Sequence, residues 1–306
     1  MDTVEIRRVT KVFGDLTAVN DLTLNVPRGS VYGFIGPNGS GKTTTLRMIM
    51  NIYYPDTGSI RVFGEELHGT STDRIGYMPE ERGLYKRMKV RDILRFYGEL
   101  KNGTDVKGEV DRWLEKFDLT DWANKKVEVL SKGMAQKVQF IGTVVSRPEL
   151  VILDEPFTGL DPVNADVLRE AVLELQAHGA TVIFSTHDMN VAENMCDFIL
   201  MIFKGRKVLD GTLSSIQDQY GSDTIRLRTD DGASALESIE GVERITNFGK
   251  MQELRMTAGY DPQKIVAEVM SRTRVHSFEL ARPSLNDIFV RIAGPEAREA
   301  EEASHA

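Results

Sequence analysis

The sequence has little of what stabilises a small secreted domain. Its 306 residues include one cysteine, Cys196, so neither an internal disulfide nor a thiolate zinc cluster can form within the chain. A lone cysteine suits a reducing compartment, and beside Met195 on a predicted helix it is most simply a small core residue. The length fits about two domains, which can bury sizeable cores without disulfides or metals.

Long apolar runs are also missing. The most apolar short stretch, FILMIF at residues 198–203, is far below the roughly 18 residues that a membrane-spanning helix needs. The first residues include early acids and no apolar core of signal-peptide length. We therefore expect no secretion signal, and a membrane role only through a partner.

Basic residues are fewer than acidic ones. The counts are 38 and 46, which give a formal net charge of −8, so the overall field repels polyphosphate chains. This disfavours bulk nucleic-acid binding but permits a local basic site. Hydrophobic residues at 41% and charged residues at 27% are close to average soluble usage and argue against a disordered, collagen-like or coiled-coil chain.

Short β-rich runs alternate with helical patterns over the first 210 residues, which predicts an α/β fold. Two runs, 151–153 and 182–184, are apolar on both faces, as central parallel strands are. Residues 90–145 contain no strand pattern, and their helically spaced apolar residues indicate a helical insert that packs on the core. The predicted strands are residues 4–12, 16–26, 31–35, 59–63, 75–78, 150–153, 181–185, 198–203 and 206–209.

The pattern restarts after a predicted helix at 213–220. The order βαββαβ is typical of a ferredoxin-like unit. A last helix at 285–292 precedes a polar tail that we expect to fray. We divide the chain into residues 1–220, with a helical subdomain at about 86–146, and residues 221–306. The predicted elements of the second part are strands at 224–229, 242–248, 251–257 and 275–280, and helices at 233–239 and 262–270.

The strongest motif is GPNGSGKTT at residues 36–44, which fits the phosphate-binding loop G-x-x-x-x-G-K-[ST] between a strand and a helix. Its glycines allow backbone N–H groups to point inward, and the helix end adds positive potential. Lys42 can reach the terminal phosphates, and the Thr43 hydroxyl can ligate magnesium. A simple glycine-rich turn is the alternative. The predicted nucleotide-binding residues are Gly36, Asn38, Gly39, Ser40, Gly41, Lys42, Thr43 and Thr44.

Downstream, LVILDE at residues 150–155 is an apolar strand that ends in two carboxylates, the form of a Walker B motif. Asp154 can hold magnesium, and Glu155 can polarise a water for in-line attack on a γ-phosphate. Paired acids after a strand are often only a solvated turn, but the upstream phosphate loop favours the catalytic interpretation.

Residues 3–220 resemble the nucleotide-binding subunits of ATP-binding cassette (ABC) transporters. The specific marker is LSKGM at residues 130–134, where the family has LSGGQ. Lys132 replaces a glycine and Met134 the glutamine. Ser131 and Gly133, which in the family touch the γ-phosphate held by the opposite subunit, are kept. By itself, such a turn before a helix would be a helix cap.

The resemblance implies roles for three further residues. Asp161, in TGLD at residues 158–161, matches the D-loop that couples the two sites of a cassette pair. His187 matches the switch histidine that contacts the γ-phosphate and orients water. Phe13 resembles the aromatic residue that stacks on adenine, with burial in the first strands as the alternative.

Glu80 takes the position of the family's Q-loop glutamine. A carboxylate can still ligate magnesium, and more strongly than an amide because it carries charge. In the family this loop faces the membrane subunit, so we expect the partner's docking groove at about residues 80–91.

The resemblance implies an ATPase subunit that uses ATP and Mg²⁺ and lies at the cytoplasmic face of the membrane. A second cassette, identical or paralogous, completes each site, and a separate membrane permease carries the cargo, most simply outward. PSLNDIF at residues 283–289 resembles the end of cassettes related to sodium and drug efflux. We expect that part to serve dimer contact or regulation, with a plain stability module as the alternative.

Two other function classes remain for comparison. A non-transport cassette ATPase that acts on ribosomes or nucleic acid usually has two cassettes in one chain, a long coiled-coil insert or a basic face, and this sequence has none of these. We therefore expect no nucleic-acid partner. A binding module without turnover would be expected to lack Glu155 or His187, and both are present.

Overall fold

The computed structural model describes residues 2–66, 73–81, 83–102, 106–220, 224–249, 251–257 and 259–304. The chain forms two units, Met1–Thr212 and Leu213–Ala306, which we call the first unit and the accessory unit. The division lies before the helix Leu213–Tyr220 rather than after it, where the sequence placed it. Residue 221 itself lies outside the described residues.

The first unit follows the predicted alternation of strands and helices. Short 3₁₀ turns at Thr120–Trp122 and Val127–Val129 precede the helix Lys132–Val144. The strands are β1 Asp2–Phe13, β2 Leu16–Pro27, β3 Val31–Ile35, β4 Thr57–Val62, β5 Ile75–Met78, β6 Leu150–Asp154, β7 Thr181–Thr186, β8 Phe198–Phe203 and β9 Arg206–Gly211. The helices are α1 Lys42–Ile49, α2 Val90–Asn102, α3 Lys107–Lys116, α4 Lys132–Val144, α5 Pro162–Ala177 and α6 Met189–Met195.

A six-stranded sheet in the order β5-β6-β7-β3-β8-β9 forms the centre of this unit. Its neighbours pair in parallel except β8 and β9. Every residue of β3, β6 and β7 is buried, as the two-faced apolar runs predict. Parallel strands end at the same edge of a sheet, so the segments that follow β3, β5, β6 and β7 come together there.

Two packing arrangements support this sheet. The antiparallel sheet β2-β1-β4 shares a buried core with one side of it. The helical insert forms a core with β6 and β7, in which the rings of Trp113, Phe117 and Phe140 lie 5.5–5.9 Å from one another. Burial of each such side chain contributes roughly 1.5–3 kcal/mol. Most of the helically spaced apolar residues of the insert are therefore packing residues, but Leu100 is 70% exposed and does not pack as expected.

The lone cysteine is also a packing residue. Cys196 packs against the core of the first unit, and a Cβ on Gly33 of β3 would lie 2.5 Å from its sulfur. Burial raises the pKa of the Cys196 thiol, which makes it a poor nucleophile at neutral pH.

The accessory unit has the predicted ferredoxin-like order. The strands of its antiparallel sheet lie in the order 242–247, 252–256, 224–229 and 275–281. One face of the sheet is covered by the helix Pro262–Arg272 and a 3₁₀ helix, around buried Ile225, Leu227 and Leu254. The elements are α7 Leu213–Tyr220, β10 Thr224–Thr229, the 3₁₀ helix Gly232–Leu236, β11 Val242–Asn247, β12 Gln252–Met256, α8 Pro262–Arg272, β13 Val275–Ala281 and α9 Leu285–Ser304.

Two predicted elements of this unit are wrong in extent. The helix expected at 233–239 is the 3₁₀ helix Gly232–Leu236. The helix expected to end at 292 continues to Ser304, through the tail that was expected to fray. Pro295 removes one helical N–H donor, but the alanine, glutamate and arginine residues that follow are strong helix formers and outweigh that loss.

Candidate functional site

The loop between β3 and α1 requires glycine at two positions. Gly36 and Gly41 have φ angles of 146° and 108°, and a Cβ on them would lie 2.1 Å from the carbonyl oxygen of Ile202 and 2.4 Å from that of Ala18. Gly39 also has a positive φ, 76°, but a Cβ there would meet no atom within 4 Å. The conformation of this loop is therefore restricted by the backbone at Ile202 and Ala18, which approaches it closely.

The same loop offers hydrogen-bond donors. Helix α1 begins after Gly41 without a side-chain cap and without an acidic residue in its first turn, so its first N–H groups are available to an anion. The Ser40 hydroxyl is buried and has no hydrogen-bond partner among the described residues. Asn38 is exposed on the loop, and Thr44 is half-buried in the first turn of α1. The arrangement can bind an anion, and we call it the cradle.

Lys42 lies over this cradle. It is 6% exposed, and its Nζ donates to the carbonyl oxygens of Gly36 at 2.7 Å and Pro37 at 3.2 Å. Burial lowers its pKa, while the charges of Glu155, Asp154 and, more weakly, Glu80 oppose that shift. A buried ammonium group is thus held between carbonyl oxygens and carboxylates.

Asp154, at the end of β6, connects three elements of the site. It is fully buried, and its Oδ1 accepts hydrogen bonds from the Thr43 hydroxyl at 3.0 Å and the Ser185 hydroxyl at 2.6 Å. Its Oδ2 is buried and has no hydrogen-bond partner among the described residues. A carboxylate and a hydroxyl are ligands that magnesium accepts, so the donor set fits that ion.

Glu155 follows with a strained backbone. Its φ is 49°, a left-handed conformation that costs a non-glycine residue about 1–2 kcal/mol. The side chain is 8% exposed, with Oε1 3.7 Å from Lys42 Nζ. Oε2 accepts from the Thr158 hydroxyl at 3.1 Å and lies 3.0 Å from His187 Nδ1. The strand end therefore points one carboxylate between a lysine and a histidine.

Ser131 and Gly133 occupy the start of α4, away from these groups in the chain. Ser131 is the N-cap, and its hydroxyl accepts a hydrogen bond from the backbone N–H of Met134 at 3.3 Å. In this structure Ser131 therefore acts as a helix cap. The Ser131 side chain is nevertheless exposed, and a Cβ on Gly133 would meet Leu160 at an ordinary 3.7 Å.

Asp161 caps the next helix, α5. Its Oδ1 accepts from the backbone N–H of Asn164 at 3.0 Å, and the bonds from Asn164 hold the pKa of Asp161 below its usual value. A Cβ on Gly159 would lie 2.9 Å from Lys132 Nζ. The segments of Ser131 and Asp161 are thus neighbours.

Phe13 and Glu80 both lie at the surface. Phe13 is 41% exposed, packs edge-on against Tyr53 with 5.3 Å between ring centroids, and is not buried in the first sheet as the alternative required. Glu80 is exposed on the loop after β5; its charge is close enough to act on Lys42.

Four polar residues of the site were missed in the sequence. Ser185 and Thr158 bond Asp154 and Glu155. Ser185 is a polar residue inside an apolar strand, a signal that was available. Gln139 Nε2 donates to the carbonyl oxygens on either side of Glu80, those of Pro79 at 2.8 Å and Glu81 at 3.3 Å. Gln136 Nε2 donates to the Pro156 carbonyl. No local pattern marks these two glutamines.

Two known families match this chain. The family described as "ABC transporter" matches residues 19–158, and "ATP-binding protein DrrA1-3-like, C-terminal domain" matches residues 211–293. Among the described residues no helix has the length and apolar character to cross a membrane.

Two relatives with similar sequences cover nearly the whole chain, and a solved structure covers about three quarters of it. The "Uncharacterized ABC transporter ATP-binding protein YhaQ" of Bacillus subtilis is 42% identical over 94% of this chain and 98% of its own. The "Nod factor export ATP-binding protein I" of Burkholderia lata is 33% identical over 97% and 98%. A solved "Structure of ATP binding subunit of ABC transporter" has a TM-score of 0.68 and 32% identity over 72% of this chain and 93% of its own.

Proposed function

The chain belongs to the ATP-binding proteins of ABC transporters, and we propose that it hydrolyses ATP at the Lys42–Glu155 site to drive export through a separate permease. Binding and hydrolysis of ATP for transport is the activity of this family. The observation that carries the assignment of the site is the position of the Glu155 carboxylate, 3.7 Å from Lys42 and 3.0 Å from His187.

The cradle binds the triphosphate in this proposal. The free N–H groups at the start of α1 and the Ser40 hydroxyl contact the phosphates, and Lys42 exchanges its carbonyl partners for phosphate oxygens. Phe13, exposed at the end of β1, stacks on the adenine ring. Each contact replaces a weak or unsatisfied interaction of the free protein by a charge-assisted one.

Glu155 then acts as the general base. It accepts a proton from a water that attacks the γ-phosphorus in line, while the bond from that phosphorus to the ADP oxygen breaks. His187 and Thr158 hold the carboxylate in place, and His187 also faces the transferred group. The Lys42 ammonium neutralises charge that develops on the phosphate oxygens.

Asp154 and Thr43 would hold Mg²⁺, and Glu80 would be a further oxygen ligand. When bound, the ion would neutralise and orient the phosphate oxygens. Among the described residues no group of three or more His, Cys, Asp or Glu side chains is arranged around a metal. The protein would therefore contribute few ligands, with phosphate and water as the others, which is usual for this ion.

A second cassette completes the site. Ser131 and Gly133 lie at an exposed helix start, a position that can present hydroxyl and N–H groups to a γ-phosphate bound by another copy in head-to-tail arrangement. Asp161 lies beside them and would contact the same partner. ATP would close the pair and phosphate loss would open it.

The permease would dock beside the loop of Glu80. A cavity of about 310 Å³ lies there, lined in part by Tyr77, Pro79 and Tyr97. Three large apolar side chains near it are exposed, Tyr85, Phe96 and Leu100. Clustered exposed apolar groups mark protein contacts, and docking here would place this chain at the cytoplasmic face of the membrane.

A ribosome- or nucleic-acid-directed ATPase is the alternative, and co-purification separates the two. We expect the tagged chain to bring down a polytopic membrane protein; recovery of ribosomes instead would favour the alternative. For the site itself, calorimetry with ATP and Mg²⁺ should show saturable heat that Lys42→Ala abolishes. Intact affinity and turnover in Lys42→Ala would refute the assignment.

A further inference from the structure

The second face of the accessory sheet carries arginines in unusual proximity. On β11 and β12, Arg244 and Arg255 are cross-strand partners in register, and Thr224 of β10 continues the same row. Like charges directly opposite each other destabilise a sheet. Arg244 forms no ion pair or hydrogen bond with its side chain among the described residues. Arg255 Nε, in contrast, lies 3.5 Å from Glu243 Oε2. An anion between the two guanidinium groups would therefore give Arg244 a partner and reduce the repulsion between the pair.

A cavity lies over this pair. Its volume is about 570 Å³, within the roughly 300–1,000 Å³ of typical small-molecule sites. The sheet forms its floor and α9 its wall, so both belong to the accessory unit. The residues that matter for its chemistry are Arg244, Arg255, Arg291, Phe248 and Val290.

The two carboxylates that line the cavity are already engaged. Glu253, 9% exposed, is bonded to Arg226 Nε at 2.7 Å. Asp287 accepts from the backbone N–H and hydroxyl of Ser284 at 3.0 and 2.6 Å. Neither carboxylate is bonded to Arg244 among the described residues, and the three arginines that line the cavity outnumber its two carboxylates.

The cavity also has an apolar side. Phe248 is 58% exposed and Val290 is 42% exposed, and both line it together with the arginines. A ligand that satisfies the whole cavity has a negatively charged head for Arg244 and Arg255 and an apolar body for the phenyl ring. Arginine is the side chain best suited to hold a carboxylate or phosphate by two parallel hydrogen bonds.

We propose that this cavity binds an amphipathic organic anion, a carboxylate or phosphate with an apolar body, and so makes the accessory unit a ligand-binding domain. Such a molecule is either a free small anion or the headgroup region of an anionic lipid. The site shares no residue with the nucleotide site, so it stands or falls independently of the proposed function.

Calorimetry on the full chain tests the small-molecule form. The probe is 3-phenylpropionate, and the neutral 3-phenylpropanol is its charge control. We expect saturable binding of the acid at least ten times tighter than that of the alcohol. Arg244→Glu should weaken acid binding at least tenfold, whereas Arg274→Gln, an exposed arginine of the same unit outside the cavity, should leave it unchanged.

The charge reversal also controls for folding. The introduced carboxylate would lie opposite Arg255, so we expect Arg244→Glu to melt no lower than the parent and to bind ATP with unchanged affinity.

Flotation with phosphatidylglycerol–phosphatidylcholine vesicles, against phosphatidylcholine alone, tests the lipid source with the same variants. Binding of either probe that depends on Arg244 supports the proposal and identifies the source. Binding of neither, or binding that survives Arg244→Glu, overturns it.

Discussion

Lys42 Nζ lies 3.7 Å from Glu155 Oε1, and both side chains are more than nine-tenths buried. Lys42 begins α1, after the loop that follows β3, and Glu155 directly follows β6. Strand β7 lies between β3 and β6 in the sheet. The lysine thus has a carboxylate close by, while its own hydrogen bonds go to backbone carbonyl oxygens. A phosphate that binds in the cradle would accept hydrogen bonds from the Lys42 ammonium group. The Glu155 carboxylate would then face the γ-phosphate.

Replacement of Glu155 by glutamine should separate binding from turnover. The amide keeps the shape and removes the base, so we expect ATP affinity to be retained or raised and hydrolysis to fall by about 10²–10⁴-fold. Single-turnover ATPase assays and nucleotide-dependent dimerisation by light scattering measure the two effects. Glu170→Gln, on the exposed side of α5, is the control. Near-normal turnover in Glu155→Gln would remove Glu155 as the base.

The glycines of the cradle should differ in their tolerance of alanine. Gly36→Ala places a Cβ 2.1 Å from a carbonyl oxygen, and we expect a loss of about 3 kcal/mol in unfolding free energy. Gly39→Ala has the positive φ but open space, so we expect about 1 kcal/mol. Urea unfolding measures both, and equal losses would contradict the importance of the close approach to Ile202.

Ser131 can be tested as a cap and as a partner contact at once. Aspartate is as good an N-cap as serine, so Ser131→Asp should keep the melting temperature of the parent. Its charge would repel the γ-phosphate of the other copy, and we expect ATPase activity to fall more than tenfold. Ser131→Ala should lower stability by about 1 kcal/mol. Normal ATPase activity in the aspartate variant would show that Ser131 acts only as a helix cap and does not contact the partner's nucleotide.

An ion-pair network joins the helical insert to α5 and should depend on pH. Glu174 pairs with Arg112 at 2.5 Å and with Lys116. Partial burial alone would raise the pKa of Glu174, but the two cations outweigh it and lower that pKa. The pairing therefore stabilises the fold at neutral pH, and this contribution is lost as pH falls through the lowered pKa of Glu174.

The corresponding variant is Glu174→Gln. We expect a loss of about 1 kcal/mol at pH 7, a smaller loss in high salt, and no difference from the parent once Glu174 is protonated in both states. Thermal unfolding across pH measures this, with Glu170→Gln on the same helix as the control. A difference that is independent of pH would show that shape rather than charge is responsible.

Local patterns predicted most of the elements of this fold. Strands β3, β5, β8 and β10 and helix α7 have the predicted ends, because each is a short apolar or amphipathic run between turn residues. The order of strands in the sheets is not a local property, and neither is the bond from Gln139 to the loop of Glu80. The helix end at Ser304 was missed because proline was given more weight than the residues that follow it.

The site was predictable to the extent that motifs are contiguous. Residues 36–44 and 150–155 each place their own chemistry at a strand end. The arrangement that brings Lys42, Glu155 and His187 together depends on neighbouring parallel strands. Thr158 and Ser185 were missed because their roles exist only through these long-range neighbours.

Gln139 lies eight residues after Ser131 on α4, about 12 Å along one stiff rod. Ser131, at the start of this helix, would contact the nucleotide bound by the neighbouring copy. Gln139, further along the helix, donates hydrogen bonds to the backbone carbonyl oxygens on both sides of Glu80. A tilt of α4 would thus move Gln139 and, with it, the loop of Glu80. The loop of Glu80, where we propose that the permease docks, would therefore respond to the nucleotide bound by the opposite subunit.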